Sequence, residues 1–294
     1  MGNRLLILGA SGMLGQALVA ESRQGGWETI GVARRSHQAV DRQVDVLDDV
    51  ALASLVRETR PDVLINAAAQ VNLTACESDP GAAYRINARL PALLARLADD
   101  QDFYLVQIST DHYYTGDGAA LHAEGAPVRL VNEYARSKYA GEAFALTNAH
   151  ALVLRTNLVG FRGDTGQPTF VEWALDSLLR QQPMTLFSDY YTSSIHARTF
   201  AKLLLGILPV RPSGLYNLAA AEVSSKYQFV MALAHAAGVS VGACIEGSVS
   251  HLEGVPRAES LGLDVGRMEA LLGSSLPRLS DTIASLMIEY EERK

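Results

Sequence analysis

A doubly wound α/β fold, built on a parallel sheet and followed by a smaller C-terminal part, is predicted by three features of the 294-residue sequence. An apolar run, Leu5–Leu8, leads directly into a glycine-rich turn and then into an apolar helical pattern. Strand-like and helical patterns alternate up to residue 157, which predicts right-handed crossovers within one parallel sheet. Beyond that point the alternation loosens, so we expect residues 1–157 and 158–294 to form two parts.

Composition and charge exclude several classes of protein. Hydrophobic residues make up 48% of the chain and charged residues 19%, as in ordinary globular proteins. The formal net charge of −7 argues against nucleic acid or an anionic membrane as a partner, because both require a basic face. Cys76 and Cys244 are too few and too far apart for a disulfide framework or a metal site. With no signal-peptide pattern and no long apolar run, we expect a cytoplasmic protein without a bound metal.

The glycine-rich turn predicts a phosphate-binding loop. Gly9, Gly12 and Gly15 follow a Gly-x-x-Gly-x-x-Gly spacing, a variant of the Gly-x-Gly-x-x-Gly of most dehydrogenases. The first glycine permits a tight turn, the second lets backbone approach a pyrophosphate, and the third lets helix and strand pack closely. The helix that begins here offers free N–H groups and its positive dipole end to phosphate. A purely structural turn is the alternative.

The second predicted strand, Thr29–Ala33, ends at the pair Arg34 and Arg35. In a dinucleotide site, an acidic residue here would hold the ribose 2′-hydroxyl of NAD, whereas arginine suits the 2′-phosphate of NADP. The pair therefore favours NADPH over NADH, unless both side chains are simply solvated.

The run 44–48 predicts a brief third strand, whose Asp45 could reach an adenine amino group. A capping role at the next helix, Asp48–Arg60, explains these acids almost as well. The buried strand 63–69 then ends in small residues that leave room for a ligand beside the backbone: Ala67, Ala68 and Ala69. Close packing of a helix on the sheet would require small residues too.

A further helix begins at Asp79-Pro80, an N-cap followed by a proline at the first helical position, and runs past Asn87 to about Leu97. The strand 102–110 follows and ends in hydroxyl and carboxylate side chains: Ser109, Thr110 and Asp111. We expect them at the carboxyl edge of the sheet, which is where open α/β sheets bind ligands.

The helix predicted over 132–142 carries Tyr134 and Lys138, four residues apart and therefore on one face. Tyrosine has an unperturbed pKa near 10, and a lysine ammonium one turn away lowers the pKa by favouring the phenolate. The same ammonium can donate to ribose hydroxyls, and Thr110 could donate to a carbonyl oxygen that Tyr134 protonates. Together these groups suit hydride delivery from a nicotinamide to a ketone.

The strand 150–157 completes the regular alternation. After it, the predicted strand is 214–219, and the predicted helices are Phe170–Arg180, Ala197–Leu208, Ser225–Ala237, Asp264–Leu272 and Leu279–Glu292. We expect the elements at about 197–219 to return to the core of the first part.

Combined, these motifs resemble those of the extended short-chain dehydrogenase/reductase superfamily and, within it, the dTDP-4-dehydrorhamnose reductase family. The resemblance covers the length of the chain: the glycine turn 9–15, Asn66–Ala69 with Cys76-Glu77, Pro80 and Asn87, then Ile108–Asp111, Tyr134 to Lys138 with Gly141-Glu142, and Arg257 with Leu263-Asp264. It implies a Rossmann-type NAD(P)-binding domain over 1–157 and a mainly substrate-binding part over 158–294.

The resemblance also implies an activity and roles for residues. Thr110, Tyr134 and Lys138 would be catalytic, NADPH the cofactor with NADH as the alternative, and a nucleotide-linked 4-keto-6-deoxy sugar the substrate, reduced at C4. With the residues argued above, the expected cofactor contacts are Gly9, Ser11, Gly12, Met13, Leu14, Gly15, Arg34, Arg35, Asp45, Val46, Ala67, Ala68, Ala69, Asn87, Tyr134 and Lys138. The expected substrate contacts are Asp111, His112, Asn157, Leu158 and Arg257. We expect a monomer or a homodimer.

Three positions depart from the family's pattern. His112 stands where an aromatic residue usually follows the aspartate, and Leu158 stands where a tryptophan lines the sugar site. The family's Arg-Pro is Arg257-Ala258 here. A different keto sugar or a different stereochemical outcome is therefore open.

Two other functions are open as well. Dehydratases of the superfamily carry Asp-Glu after the catalytic threonine, so Asp111-His112 disfavours elimination, whereas a nucleotide-sugar epimerase with tightly bound NAD(P) is not excluded. A non-catalytic, NADP-binding regulatory relative would keep the glycine turn. The joint presence of Thr110, Tyr134 and Lys138 favours turnover.

Overall fold

The computed structural model describes residues 3–163, 167–242 and 244–294. In chain order, the strands are β1 (Arg4–Leu8), β2 (Glu28–Ala33), β3 (Arg42–Gln43), β4 (Val63–Asn66), β5 (Tyr104–Ile108), β6 (Leu121–His122), β7 (Leu152–Arg155), β8 (Asn157–Val159), β9 (Met184–Phe187), β10 (Tyr191–Thr192), β11 (Ser194–His196), β12 (Gly214–Asn217), β13 (Ser224–Ser225), β14 (Cys244–Gly247) and β15 (Ser260–Leu263). The α-helices are α1 (Met13–Gln24), α2 (Asp49–Thr59), α3 (Leu73–Ser78), α4 (Pro80–Tyr84), α5 (Leu90–Gln101), α6 (Glu133–Ala145), α7 (Phe170–Leu179), α8 (Ala197–Ile207), α9 (Lys226–Ala237), α10 (Gly266–Leu272) and α11 (Leu279–Glu292).

The predicted doubly wound sheet is confirmed. Within the described ranges, seven strands form one sheet in the order β12-β7-β5-β4-β1-β2-β3. The pairings of β1 with β2 and β4, of β2 with β3, and of β5 with β4 and β7 are all parallel. The strand order reverses between β1 and β4, which makes this the topological switch point at which such sheets bind ligands.

Apolar side chains from the strands and from α2 and α5 fill one core of this sheet. They include Leu6, Leu8, Leu52, Leu55, Leu64, Leu94 and Leu105. Strands that are apolar along their whole length are typical of a parallel sheet covered on both faces. The apolar runs seen in the sequence are therefore the pattern expected of strands that are buried on both faces of the sheet.

By their contacts, the residues form two compact units. The first unit comprises Met1–Thr110, Asn132–Arg155 and Ala201–Tyr216, and the second unit comprises Asp111–Val131, Thr156–Phe200 and Asn217–Lys294. Residues 201–216 thus belong to the unit that contains the large sheet. Residues 111–131, which the sequence analysis placed in the N-terminal part, belong to the second unit.

The second unit has its own strands and core. A four-stranded sheet has the order β13-β10-β15-β6, and β8 pairs with β11 and β9 with β14. Helices α7, α9 and α11 supply apolar side chains to its core, including Val171, Leu175, Phe229, Leu233, Ile283 and Leu286.

The predicted third strand over 44–48 is wrong. Strand pairing stops at Gln43, because the next residues form a turn: Asp48 N donates to Asp45 O at 3.0 Å and Leu47 N donates to Asp45 Oδ1 at 3.0 Å. The polar side chain of Asp45 thus bonds locally to backbone, as aspartate in turns commonly does. The predicted capping role of Asp48 is confirmed, since its Oδ1 accepts from Val50 N and Ala51 N.

The helix predicted from residue 79 to 97 is divided by a π-helical turn, Arg85–Arg89. Two close neighbours account for the change. Pro91 has no N–H to donate to Asn87 O. A Cβ at Gly141 would lie only 2.0 Å from that same oxygen, so α6 packs against this turn through bare backbone.

No helix in the described part of the chain combines the length and the apolar character that crossing a bilayer requires.

Candidate active site

A cleft of about 410 Å³ lies in the first unit, beyond the carboxyl ends of β1, β2 and β4. The expected cofactor residues that line it are Gly9, Ser11, Gly12, Arg34, Asp45, Val46, Ala67, Ala68 and Ala69. Residues that the sequence analysis did not assign to the site line it as well: Ala33, Val44, Leu47, Gln70, Ala82 and Ile86. The cleft therefore spans the switch point of the sheet.

The glycine turn has a geometry that fits a phosphate. Gly9 has a φ of +83°, and a Cβ there would lie 2.8 Å from the backbone of Ala67 and Ala68. A Cβ at Gly15 would lie 2.1 Å from Gly9 O, so this glycine lets α1 pack on the turn. Gly12 precedes α1 and supplies no side-chain cap, and the first N–H groups of a helix have no intrahelical acceptor. The free N–H groups at the start of α1 therefore form a site at which a phosphate can bind.

The other expected cofactor residues do not line the cleft: Met13, Leu14, Gly15, Arg35, Asn87, Tyr134 and Lys138. Among them, Asn87 is only 1% exposed. Its Oδ1 accepts from Gln70 N at 2.9 Å, and its Nδ2 donates to Gln70 O and to Ser137 Oγ, both at 3.0 Å. Asn87 therefore shapes the cleft by holding Gln70, which lines it.

The expected catalytic residues Thr110, Tyr134 and Lys138 all belong to the first unit and are buried. Asn132 caps α6 by accepting from Ala135 N at 2.8 Å, which sets the helix to begin just before Tyr134. Tyr134 thus occupies the first turn, and Lys138 lies one turn further along the same face. Thr110 is the second residue after β5.

Lys138 connects α6 to the end of β5. Its Nζ donates to Ile108 O at 2.7 Å. Burial lowers the pKa of Lys138 to about 8, and the nearby Glu142 carboxylate acts in the opposite direction. The side chain therefore keeps most of its positive charge at pH 7, at the strand end that leads into Thr110.

A buried ion pair fixes the same helix one turn further on. Glu142 accepts from Ser109 Oγ at 2.6 Å and from the Arg155 guanidinium at 2.7 to 3.2 Å. Both members of the Glu142–Arg155 pair have side chains only 3% exposed. Since Ser109 precedes Thr110 in the chain, this pair orients the strand end as well as the helix.

The expected substrate residues belong to the second unit. Asp111 is 1% exposed, and its Oδ2 accepts from Asn157 Nδ2 at 2.6 Å. Asn157 Oδ1 accepts in turn from Ser194 Oγ at 2.7 Å. Leu158, the next residue of β8, is half-buried. The pairing of β8 with β11 places Asn157 opposite Ser194, and the hydrogen bond that Asn157 donates connects this pair to Asp111.

His112 is held in its neutral form. Burial lowers the pKa of His112 to about 4, and the positive charges of Lys226 and Arg257 act in the same direction. At pH 7 the ring is therefore an uncharged hydrogen-bonding group, although its Nε2 lies 4.0 Å from Asp111 Oδ1. Lys226 was not singled out from the sequence, where only the Ser225–Gln228 capping box marked its position as a helix start.

A second cavity, of about 610 Å³, lies in the second unit near Arg257. Its lining combines apolar, aromatic and acidic side chains: Gly116, Gly118, Asp189, Tyr191, Val249, Ser250, Leu252, Gly254, Val255, Pro256, Arg257 and Glu259. Both carboxylates are already hydrogen-bonded, Glu259 to Thr115 Oγ1 and Gly116 N, and Asp189 to Ser248 Oγ and Val249 N. Among the charged residues of this lining, the Arg257 guanidinium is the group that can bind an anion.

The chain is similar in sequence and in fold to several known proteins. The probable low-salt glycan biosynthesis reductase Agl14 of Haloferax volcanii is 31% identical over 294 residues, covering 97% of this chain and 98% of its own. The methionine adenosyltransferase 2 subunit beta of Mus musculus is 27% identical, over 93% of this chain and 84% of its own. The crystal structure of dTDP-4-dehydrorhamnose reductase from Bacillus anthracis str. Ames, in complex with NADP, has a TM-score of 0.87 at 22% identity and covers 98% of this chain and 100% of that chain.

The family model of the RmlD substrate binding domain matches residues 3–291. That match spans both units, and the resemblance noted from the sequence motifs is confirmed. The chain therefore belongs to the RmlD substrate binding domain family.

Proposed function

We propose that this protein is an oxidoreductase that reduces the 4-keto group of a nucleotide-linked 4-keto-6-deoxy sugar, with NADPH as the hydride donor. One observation carries the proposal: buried Lys138 donates to the last carbonyl of β5, one helical turn from Tyr134 and at the strand end that leads into Thr110. The glycine-lined cleft belongs to the same unit. The reductase named among the relatives supports the same reaction class.

The cleft residues fit a dinucleotide. The N–H groups at the start of α1 would hold the pyrophosphate, the alanines after β4 leave room beside the backbone, and Arg34 would meet the 2′-phosphate of NADP. When bound, NADPH supplies a hydride to the carbonyl carbon.

The chain's own residues would supply the proton. Tyr134 donates its phenolic proton to the carbonyl oxygen as that oxygen gains negative charge, and Thr110 donates a hydrogen bond to the same oxygen. The Lys138 ammonium favours the phenolate that Tyr134 then becomes. One hydride and one proton thus convert the ketone to a secondary alcohol.

The second unit would recognise the substrate. Asp111 directly follows Thr110 in the chain, and its carboxylate, oriented by Asn157, can accept hydrogen bonds from sugar hydroxyls. The cavity beside Arg257 has the size and the mixed lining that suit a nucleotide. Leu158 and His112 would set the shape and polarity of the sugar pocket.

Cofactor consumption tests the proposal. With a panel of dTDP-, UDP-, GDP- and CDP-linked 4-keto-6-deoxy sugars, we expect one of them to be reduced with one NADPH oxidised per sugar, followed by absorbance at 340 nm and product chromatography. Conversion of the sugar without oxidation of added NADPH would instead establish an epimerase. NADPH binding without any turnover would establish a non-catalytic role, an outcome that must be tested because one relative is named as a subunit of methionine adenosyltransferase 2.

Replacing Arg34 and Arg35 by alanine should raise the Kd for NADPH by about 10- to 100-fold, because a charge-assisted bond to the 2′-phosphate is lost. The Kd for NADH should change by less than about threefold, since NADH has no such phosphate. Only Arg34 lines the cleft, so Arg34→Ala alone should account for most of the effect. Fluorescence titration with both cofactors measures it, and equal losses for the two would contradict the assignment.

A further inference from the structure

Lys226 is the first residue of α9, and its ammonium lies among aromatic rings. The Nζ is 4.4 Å from the ring centroid of Phe170 and 5.7 Å from that of Tyr190. Aromatic faces attract a cation but do not replace hydrogen-bond acceptors for its three N–H donors. In the described part of the chain, no carboxylate lies within ion-pairing distance of this Nζ. The half-buried ammonium therefore retains donors for a ligand.

The four-stranded sheet places Lys226 and Arg257 at the same end. Strand β13 runs antiparallel to β10, and Lys226 N donates to Tyr190 O at 2.9 Å, so the residue after β13 lies beside the start of β10. Strand β15 runs parallel to β10, and Tyr191 N donates to Glu259 O at 2.7 Å. The segment just before β15, which contains Arg257, thus lies at this end too, where Tyr191 and Arg257 line the 610 Å³ cavity.

Cations and carboxylates both lie near this end of the sheet. Burial lowers the pKa of Lys226 to about 8, with the Asp111 carboxylate acting in the opposite direction, so the ammonium persists at pH 7. Lys226 and Arg257 both act on His112, which is neutral there. Against these two cations stand the carboxylate of Asp111 and, in the lining of the cavity, those of Asp189 and Glu259, which are already held by hydroxyl and backbone donors. Because a carboxylate cannot donate to an anion, the Lys226 ammonium and the Arg257 guanidinium are the groups here that can hold an anionic ligand.

We propose that Lys226 is a substrate-binding residue that holds, together with Arg257, the diphosphate of the nucleotide-sugar substrate. The inference rests on the proposed function. The β-phosphate of such a substrate is bonded to the sugar, so the diphosphate must lie next to the groups that hold the sugar. The carboxylate of Asp111, the expected sugar ligand, acts to raise the pKa of Lys226, and Lys226 and Arg257 both act to lower the pKa of His112, the residue after Asp111. Lys226 is therefore associated both with the expected sugar ligand and with the cavity for the nucleotide. Its ammonium can form charge-assisted hydrogen bonds to phosphate oxygens.

Binding of free nucleotides tests this without turnover. Protein saturated with NADP⁺ is titrated calorimetrically with dTDP, UDP, GDP and CDP, and the tightest of them serves as the probe. Lys226→Met should weaken its binding by about 10- to 100-fold, whereas Lys226→Arg, which keeps the charge, should stay within about fivefold. The matching nucleoside, which has no phosphate, should bind both variants as it binds wild type in ligand-observed NMR. Lys202→Met, which removes the same charge from an exposed site of the first unit, should leave the nucleotide affinity unchanged.

The outcomes separate the two proposals. Wild-type affinity for the diphosphate in Lys226→Met would overturn the role of Lys226 alone. Equal loss of nucleoside and diphosphate binding would do the same, since it would show that Lys226 acts only on the shape of the pocket. If the wild-type protein binds none of the nucleoside diphosphates, the proposed function fails and this inference fails with it.

Discussion

Tyr134→Phe should lower kcat for reduction of the keto sugar by about 100- to 10,000-fold, the range that a positioned general acid contributes, while the Kd for NADPH stays within about twofold of wild type. The substitution removes only the phenolic oxygen. The ring that packs with Cys76 and Ala83 is kept, so the first turn of α6 should keep its structure. Loss of turnover without loss of cofactor binding would assign the proton to Tyr134.

Tyr139→Phe is the matched control. Tyr139 lies on the same helix but is 38% exposed, and five residues of helix place it about 140° around the axis from Tyr134. We expect kcat within about twofold of wild type for this variant. Turnover of Tyr134→Phe equal to that of Tyr139→Phe would rule out Tyr134 as the acid.

The first half of the fold could be predicted because local patterns and tertiary structure agree there. Strands β1, β4 and β7 consist mostly of consecutive apolar residues, and Gly9 and Gly15 occupy positions where a side chain would collide with backbone. The failures arose where a local hydrogen bond or a contact between distant segments of backbone overrode the periodic pattern of the sequence. The turn at Asp45 replaced a strand, and the close approach of Gly141 to Asn87 O, across 54 residues of sequence, accompanies the break in the long helix.

Some residues of the candidate site could likewise be predicted from local sequence patterns, and others could not. The glycine turn and the pair Tyr134 and Lys138 are visible in sequence because their spacing is local and has a direct geometric meaning. Lys226 is not visible, since its position near Arg257 follows from the pairing of β13, β10 and β15, which no local spacing records. The indirect role of Asn87 was also hidden, because an asparagine that holds a cleft residue and one that contacts a ligand have the same sequence signal.

Glu142→Ala should lower the free energy of unfolding by about 3–5 kcal/mol, measured by urea denaturation, because it leaves the Arg155 guanidinium buried without its counter-charge. It also removes the hydrogen bond from Ser109 Oγ to Glu142, which helps to hold the strand end before Thr110 against α6 together with the bond from Lys138 Nζ to Ile108 O. Glu58→Ala is the matched control: it breaks the pair of Arg42 and Glu58, whose side chains are 54% and 65% exposed, and should cost less than about 1 kcal/mol.

The double variant Glu142→Leu with Arg155→Met tests whether the ion pair only stabilises the fold or also positions the catalytic helix α6. Replacing both charges by apolar groups of similar size removes the uncompensated cation, so the unfolding free energy should recover to within about 2 kcal/mol of wild type. We expect kcat to stay below that of wild type, because the hydrogen bond from Ser109 to Glu142 is still absent and Lys138 has lost the nearby carboxylate that opposes the lowering of its pKa by burial. Recovery of both quantities together would show that the pair contributes only to stability. Recovery of stability alone would show that the Glu142–Arg155 pair holds the catalytic helix in place.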